Sequence, residues 1–222
     1  MPQLPTSLLL KSIADALAES NASGILVSAP RHNPRRYVVQ TGQTMFEVWV
    51  YIWTLTHGGG AARPQNEYRI QLTGITPPLV QNPAGPTVMM GYEPNLGCFA
   101  GFDLSKHQTF STRSPSIQIP ITTLHQALQD GLSFVTKGNE EIAIGIRPDQ
   151  FLAYVMNAEL LHAQGVDATM VDLLARAAAL EEITPTEIAQ VPADRQRIVQ
   201  RMARLSRDSS FRRKVLAAYE QR

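Results

Sequence analysis

The twelve residues FEVWVYIWTLTH (46–57) constrain the fold of this chain more than any other stretch. They are dense in aromatic and β-branched side chains, which fit a pleated strand. Side chains alternate across a strand, so Trp49, Tyr51 and Trp53 share one face while Val48, Val50 and Ile52 share the other. A strand that is apolar on both faces needs cover on both. The strand is therefore read as buried on both faces.

Residues 4–20 read as an amphipathic helix with Leu8, Leu9, Ile13 and Leu17 near one face. Residues 24–29 and 36–41 read as short strands around the turn-rich RHNPR, and EYRIQLT (67–73) alternates strictly between apolar and polar positions. Residues 87–92 and 98–104 flank the turn EPNLG as a hairpin. SIQIPI (116–121) and 141–146 are further strands, 122–130 and 149–164 are helices, and everything from Asp167 is helical. Asp167 is placed to cap the segment that follows, and TPTE (184–187) has the form of a capping box. The expected fold is α+β. A curved or barrel-like mixed sheet of about seven strands carries an N-terminal helix and a C-terminal helical arm. The expected domains are an α+β unit over 1–165 and a helical connector over 166–222.

Net charge is +1, but it is unevenly spread. Residues 195–222 hold nine Arg/Lys and two Asp/Glu, an excess of +7, against −6 for the remainder. A basic tail on a mildly acidic body suggests a polyanion partner near one end, although a solvated arginine-rich helix reads the same way. The single cysteine, Cys98, excludes an intrachain disulfide framework and fits a reducing compartment. No signal peptide and no stretch of about 20 apolar residues is present, so a cytoplasmic protein without a membrane span is expected.

Catalytic signatures are sparse. HExxH, CxxC, GxSxG and P-loop patterns are absent, as is any [DE]xK triplet, and the five histidines are scattered. No catalytic residue, metal ligand or cofactor is assigned. Recognition chemistry is easier to find. Trp49, Tyr51 and Trp53 either stack on a base or fill a core, and the two-sided apolar pattern favours the core. The glycine loop and polar strand that follow bring Arg63 and Arg69, either against a phosphate or base edge or as a plain hairpin connection. RHNPRR (31–36) and SKHQTFSTRS (105–114) add Arg31, Arg35, Arg36, Lys106, His107 and Arg113 as candidates for clamping a DNA backbone. Arg212, Arg213 and Lys214 do the same in the arm.

The segments YVV, HGGGAARPQNEYRIQLTG, GYEPNLGCFAGFDLSKH, SPSIQIPITTLHQALQDG and EIAIGIRPDQFLAYV, with DSSFRRKVLAAYEQR at the end, are similar to the N-terminal region of McrA-like HNH restriction endonucleases. Asp208 reads as an N-cap there, and Phe211, Val215 and Tyr219 as one apolar face. The resemblance implies a DNA-recognition domain for duplex DNA, selective for a modified base in one version, and a basic helix leading into an HNH nuclease module. That Cys/His module is not in this sequence, and the chain reads as stopping mid-helix. Two alternatives stay open. One is a dimerisation or protein-interaction module of a defence nuclease, with a homodimer as its simplest form. The other is a cryptic metal-dependent nuclease.

Overall fold

The computed structural model describes residues 4–57, 64–110, 115–164 and 167–220. Helix α1 (Thr6–Glu19) precedes strands β1 (Ser23–Leu26), β2 (Arg35–Thr41) and β3 (Thr44–Thr54). Strands β4 (Glu67–Gln71), β5 (Thr87–Glu93), β6 (Cys98–Phe102) and β7 (Ser116–Pro120) follow, then helix α2 (Ile121–Asp130). Strands β8 (Leu132–Thr136) and β9 (Ile142–Ile146) lead into helices α3 (Phe151–Gln164), α4 (Ala168–Ala179), α5 (Pro185–Ala189) and α6 (Ala193–Glu220).

The class is α+β, as the patterning predicts, but the large sheet is open and not a barrel. Its order is β1-β2-β3-β5-β6-β9-β8, so β1 and β8 are edges. Every pairing in it is antiparallel except β3 with β5. A parallel pair needs a long crossover. Here the crossover carries β4, which joins β7 in a separate two-stranded sheet.

That crossover explains the two-sided strand. On one face Val48, Val50 and Ile52 pack with α1, α3, α4 and α6 through Ile13, Tyr154, Leu174 and Met202. On the other, Tyr51 and Trp53 pack with Ile70 and Ile117 of the small sheet and Leu124 of α2. The result is helices, large sheet, then small sheet with α2, with an apolar core at each interface. Two glycines admit close approaches between layers: a Cβ at Gly101 would overlap the Tyr154 ring, and one at Gly145 would sit 2.6 Å from the Thr123 carbonyl oxygen.

The C-terminal segment differs from its expected form. The arginine-rich stretch and the DSSFRRK stretch are one continuous helix, so Asp208 lies inside α6 and not at a cap. Phe211 is exposed instead of lining an apolar face. Met170, Leu173, Leu174, Ile198, Val199 and Met202 belong to the same core as the large sheet. Among the described residues no helix is long and apolar enough to cross a membrane.

Candidate nucleic-acid interface

Three groups of the expected contact residues land in different places. At the β1–β3 side of the sheet, Arg35 is only 4% exposed, and its guanidinium donates to the carbonyls of Pro30 and Ile52 and to Asn33 Oδ1. It pins the loop after β1 and does not face solvent. Arg36 is exposed, donates to Glu47 Oε1 at 2.6 Å and lies over the Trp49 ring, while Trp49 Nε1 donates to the same carboxylate. Arg31 is exposed on the loop between β1 and β2.

Tyr51 and Trp53 are core side chains, at 2% and 6% exposure. Their polar atoms are spent inward, Tyr51 Oη on the Val80 carbonyl and Trp53 Nε1 on the Thr73 carbonyl. In this conformation neither offers a ring face to a base. Trp49 alone of the stripe is half-buried.

Arg69 is half-buried on the outward side of the small sheet, opposite Gln118. Arg63 and Arg113 fall in 58–63 and 111–114, outside the described residues. Arg212, Arg213 and Lys214 lie on the last turns of α6, with side chains outside the described residues.

Lys106 and His107 sit just after β6, at the end of the sheet where the β8–β9 turn lies. Lys106 is exposed. His107 is not a surface clamp: it donates from Nε2 to Glu141 Oε1 at 2.8 Å, and Lys137 donates to Oε2 at 2.6 Å. Burial alone would raise the Glu141 carboxyl, but the two hydrogen bonds and their charges outweigh it and hold the group at about 2. Deeper in, His162 Nδ1 donates to the Ile142 carbonyl at 2.7 Å and its Nε2 accepts from Tyr154 Oη. Burial lowers the His162 pKa, and the bond to Ile142 opposes that only in part. This histidine is a satisfied core residue.

The same end of the molecule carries two features that sequence patterning does not show. The first is a groove of about 500 Å³ between the start of β4, the end of β7 and the β8–β9 turn. Its polar lining includes Asn66, Glu67, Gln118, Lys137 and Asn139, with Pro64, Pro120 and Val135 among the apolar walls. The second is the start of α6. The His162–Ile142 bond puts the end of α3 beside the β8–β9 turn, and α4 begins there. Asp167 caps α4 through the amides of Thr169 and Met170 and also accepts from Arg195 at 2.7 Å. Arg197, Arg201, Arg204 and Arg207 then follow as exposed residues, while Ile198, Val199 and Met202 are buried. The helical period makes these four arginines one solvent-facing ridge about 15 Å long. Only the basic excess of the segment is visible beforehand; the ridge requires knowing which face is buried.

Among the described residues no group of three or more His, Cys, Asp or Glu is arranged to hold a metal ion. No curated protein and no solved structure matches the chain. Residues 46–155, just under half of the chain and running from β3 into α3, match the family model described as Methylase-associated X1, which suggests a restriction-modification-associated domain.

Proposed function

We propose that this chain is a DNA-recognition domain of a restriction-modification protein, holding duplex DNA for an enzyme module that acts on it. The observation that carries the reading is the arginine ridge of α6. Its opposite face is locked into the core, so the four guanidinium groups project from a rigid support in the helical layer. Arginine forks suit phosphate oxygens, and such contacts set position without reading sequence. The similarity to McrA-like enzymes makes the served module an HNH nuclease. The family name makes it a methylase. In both versions this chain binds and does not cut.

The test is duplex binding by the full chain over a range of salt, with unmodified DNA and DNA carrying methylated cytosine or adenine. Each phosphate contact contributes about 0.9 to the slope of log K against log salt. Replacing Arg197, Arg201 and Arg204 with Gln is expected to lower affinity for every sequence and reduce the slope by about 2–3. Replacing Arg212, Arg213 and Lys214 with Ala tests the distal turns in parallel. Affinity and slope unchanged in both variants would remove α6 from DNA binding and take the reading with it.

A second reading, an interaction module, is favoured by one observation. Edge strand β1 and the residue after it expose Ile25 and Val27 at 71% and 51%. An open edge with apolar side chains is a template for another strand.

A further inference from the structure

We propose that the groove between the small sheet and the β8–β9 turn is a nucleobase site that takes an adenine presented by DNA outside the base stack. The inference rests on the DNA-reading function and names what one site of that domain reads.

The volume, about 500 Å³, is within the range of small-molecule sites and exceeds the needs of one purine ring. The one lysine of the lining is already engaged: the Lys137 ammonium is committed to the buried Glu141 at 2.6 Å. A neutral, hydrogen-bonding ring suits such a lining better than an anion does.

The lining also has the right donors and acceptors. Asn66, Gln118 and Asn139 each pair a carbonyl acceptor with an NH₂ donor, and Glu67 is an acceptor only. A side-chain amide matches the N6 amino donor and N7 acceptor of adenine with two parallel hydrogen bonds. Register brings the key groups together. Arg69 is opposite Gln118 and Glu67 is opposite Pro120, so Glu67 and Gln118 are diagonal neighbours on the outward side. The inward positions, Ile70, Ile117 and Ile119, are buried, which holds that outward orientation. Pro64, Pro120 and Val135 supply apolar surface for the ring faces.

Position completes the argument. The β8–β9 turn that forms one wall is at the end of the sheet where Arg195 anchors the start of α6. The groove lies in the small-sheet layer and α6 in the helical layer across the large sheet, so a strand whose phosphates lie along Arg197 and Arg201 reaches the groove by crossing the β8–β9 end of the sheet. Placing a base there requires it to leave the duplex stack, which is easiest when the base is unpaired.

The experiment uses the full chain and ligand-observed saturation-transfer NMR with deoxyadenosine, deoxyguanosine, deoxycytidine and thymidine in separate samples. Deoxyadenosine is expected to give the strongest saturation, and Glu67→Gln and Gln118→Ala are each expected to weaken it by about tenfold. Both positions are on the outward side of the small sheet, and an unchanged near-UV circular dichroism spectrum verifies the fold of each variant. In parallel, a duplex with one unpaired adenine is expected to bind several-fold tighter than the matched duplex, with that preference lost in Gln118→Ala and the salt slope kept. Deoxyadenosine saturation no stronger than that of thymidine, or surviving both substitutions, overturns the nucleobase site while salt-dependent DNA binding stands. Deoxyadenosine binding that depends on Glu67 and Gln118 in a chain that binds no duplex leaves the site in place and overturns the DNA-reading function.

Discussion

A carboxylate with no exposed surface sits at the heart of the β8–β9 turn, and its charge is kept by two neighbours. Glu141 is deprived of water, yet His107 and Lys137 hold it at about 2. Its folded value is below the ordinary carboxylate value of 4.5. The stabilisation is therefore fully present above that ordinary value and is lost as pH falls through about 2. Removing one partner of a buried pair leaves charge uncompensated and costs about 3–5 kcal/mol. Because His107 stays in place, Lys137→Met is expected at the lower end, roughly 3 kcal/mol at pH 7. Urea unfolding at pH 7, 4 and 2.5 should show the gap to wild type narrowing toward the lowest pH. A gap independent of pH would mean that the lysine stem, whose ammonium lies over the Phe102 ring, contributes through packing instead. The sequence shows Lys137 four residues before Glu141, a spacing that suggests a local surface pair. It does not show that Glu141 is buried or that His107, 34 residues away, completes the cluster. The same blindness applies to Arg35, which reads as a loop cation and is a buried tie between loop and strand.

Caps and strict alternation were the legible signals among the elements. Thr184 and Glu187 form the expected capping box, Asp167 caps α4, and β4 turns its apolar positions inward as its period of two requires. Each depends on chemistry within a few residues of itself. Strand β8 was not legible: LSFVT is short, does not alternate cleanly and is squeezed between Gly131 and the turn at Lys137–Gly138. The parallel pairing of β3 with β5 was not legible either, because register between distant strands leaves no local mark. Asp167 links these scales, since one carboxylate caps α4 and also holds Arg195 at the start of α6. Asp167→Ala is expected to cost about 1–2 kcal/mol, combining a lost cap with a lost ion pair. Asp167→Asn keeps an acceptor for the cap and should cost no more than about 0.5 kcal/mol. Thermal unfolding of both variants separates the two roles. Equal losses would mean that the cap contributes little and the bond to Arg195 dominates.

At the scale of the whole molecule, the groove depends on the layer below it, and that layer depends on the helices across the sheet. The small sheet rests on Tyr51, Trp53 and Met89, whose strands present Val50, Ile52, Val88 and Met90 to the opposite core. That opposite core is closed by Leu174 of α4 and by Ile198, Val199 and Met202 of α6. The two-sided apolar pattern at 46–57 marks a strand buried on both faces, but nothing local shows that part of its cover comes from residues near 200. A boundary at 165, which the shift to all-helical sequence suggests, therefore cuts through a core. A fragment of residues 1–165 is expected to lose fixed packing on the helical face: it should bind a hydrophobic dye and show no sharp thermal transition. The fragment 1–210 retains Ile198, Val199, Met202 and the Ser206–Gln150 hydrogen bond, and is expected to unfold cooperatively near the full-length midpoint. Calorimetry on both fragments decides the matter. A cooperative transition in 1–165 would make the helices a separable arm, and the arginines of α6 would then act from a movable element instead of from a surface fixed to the sheet.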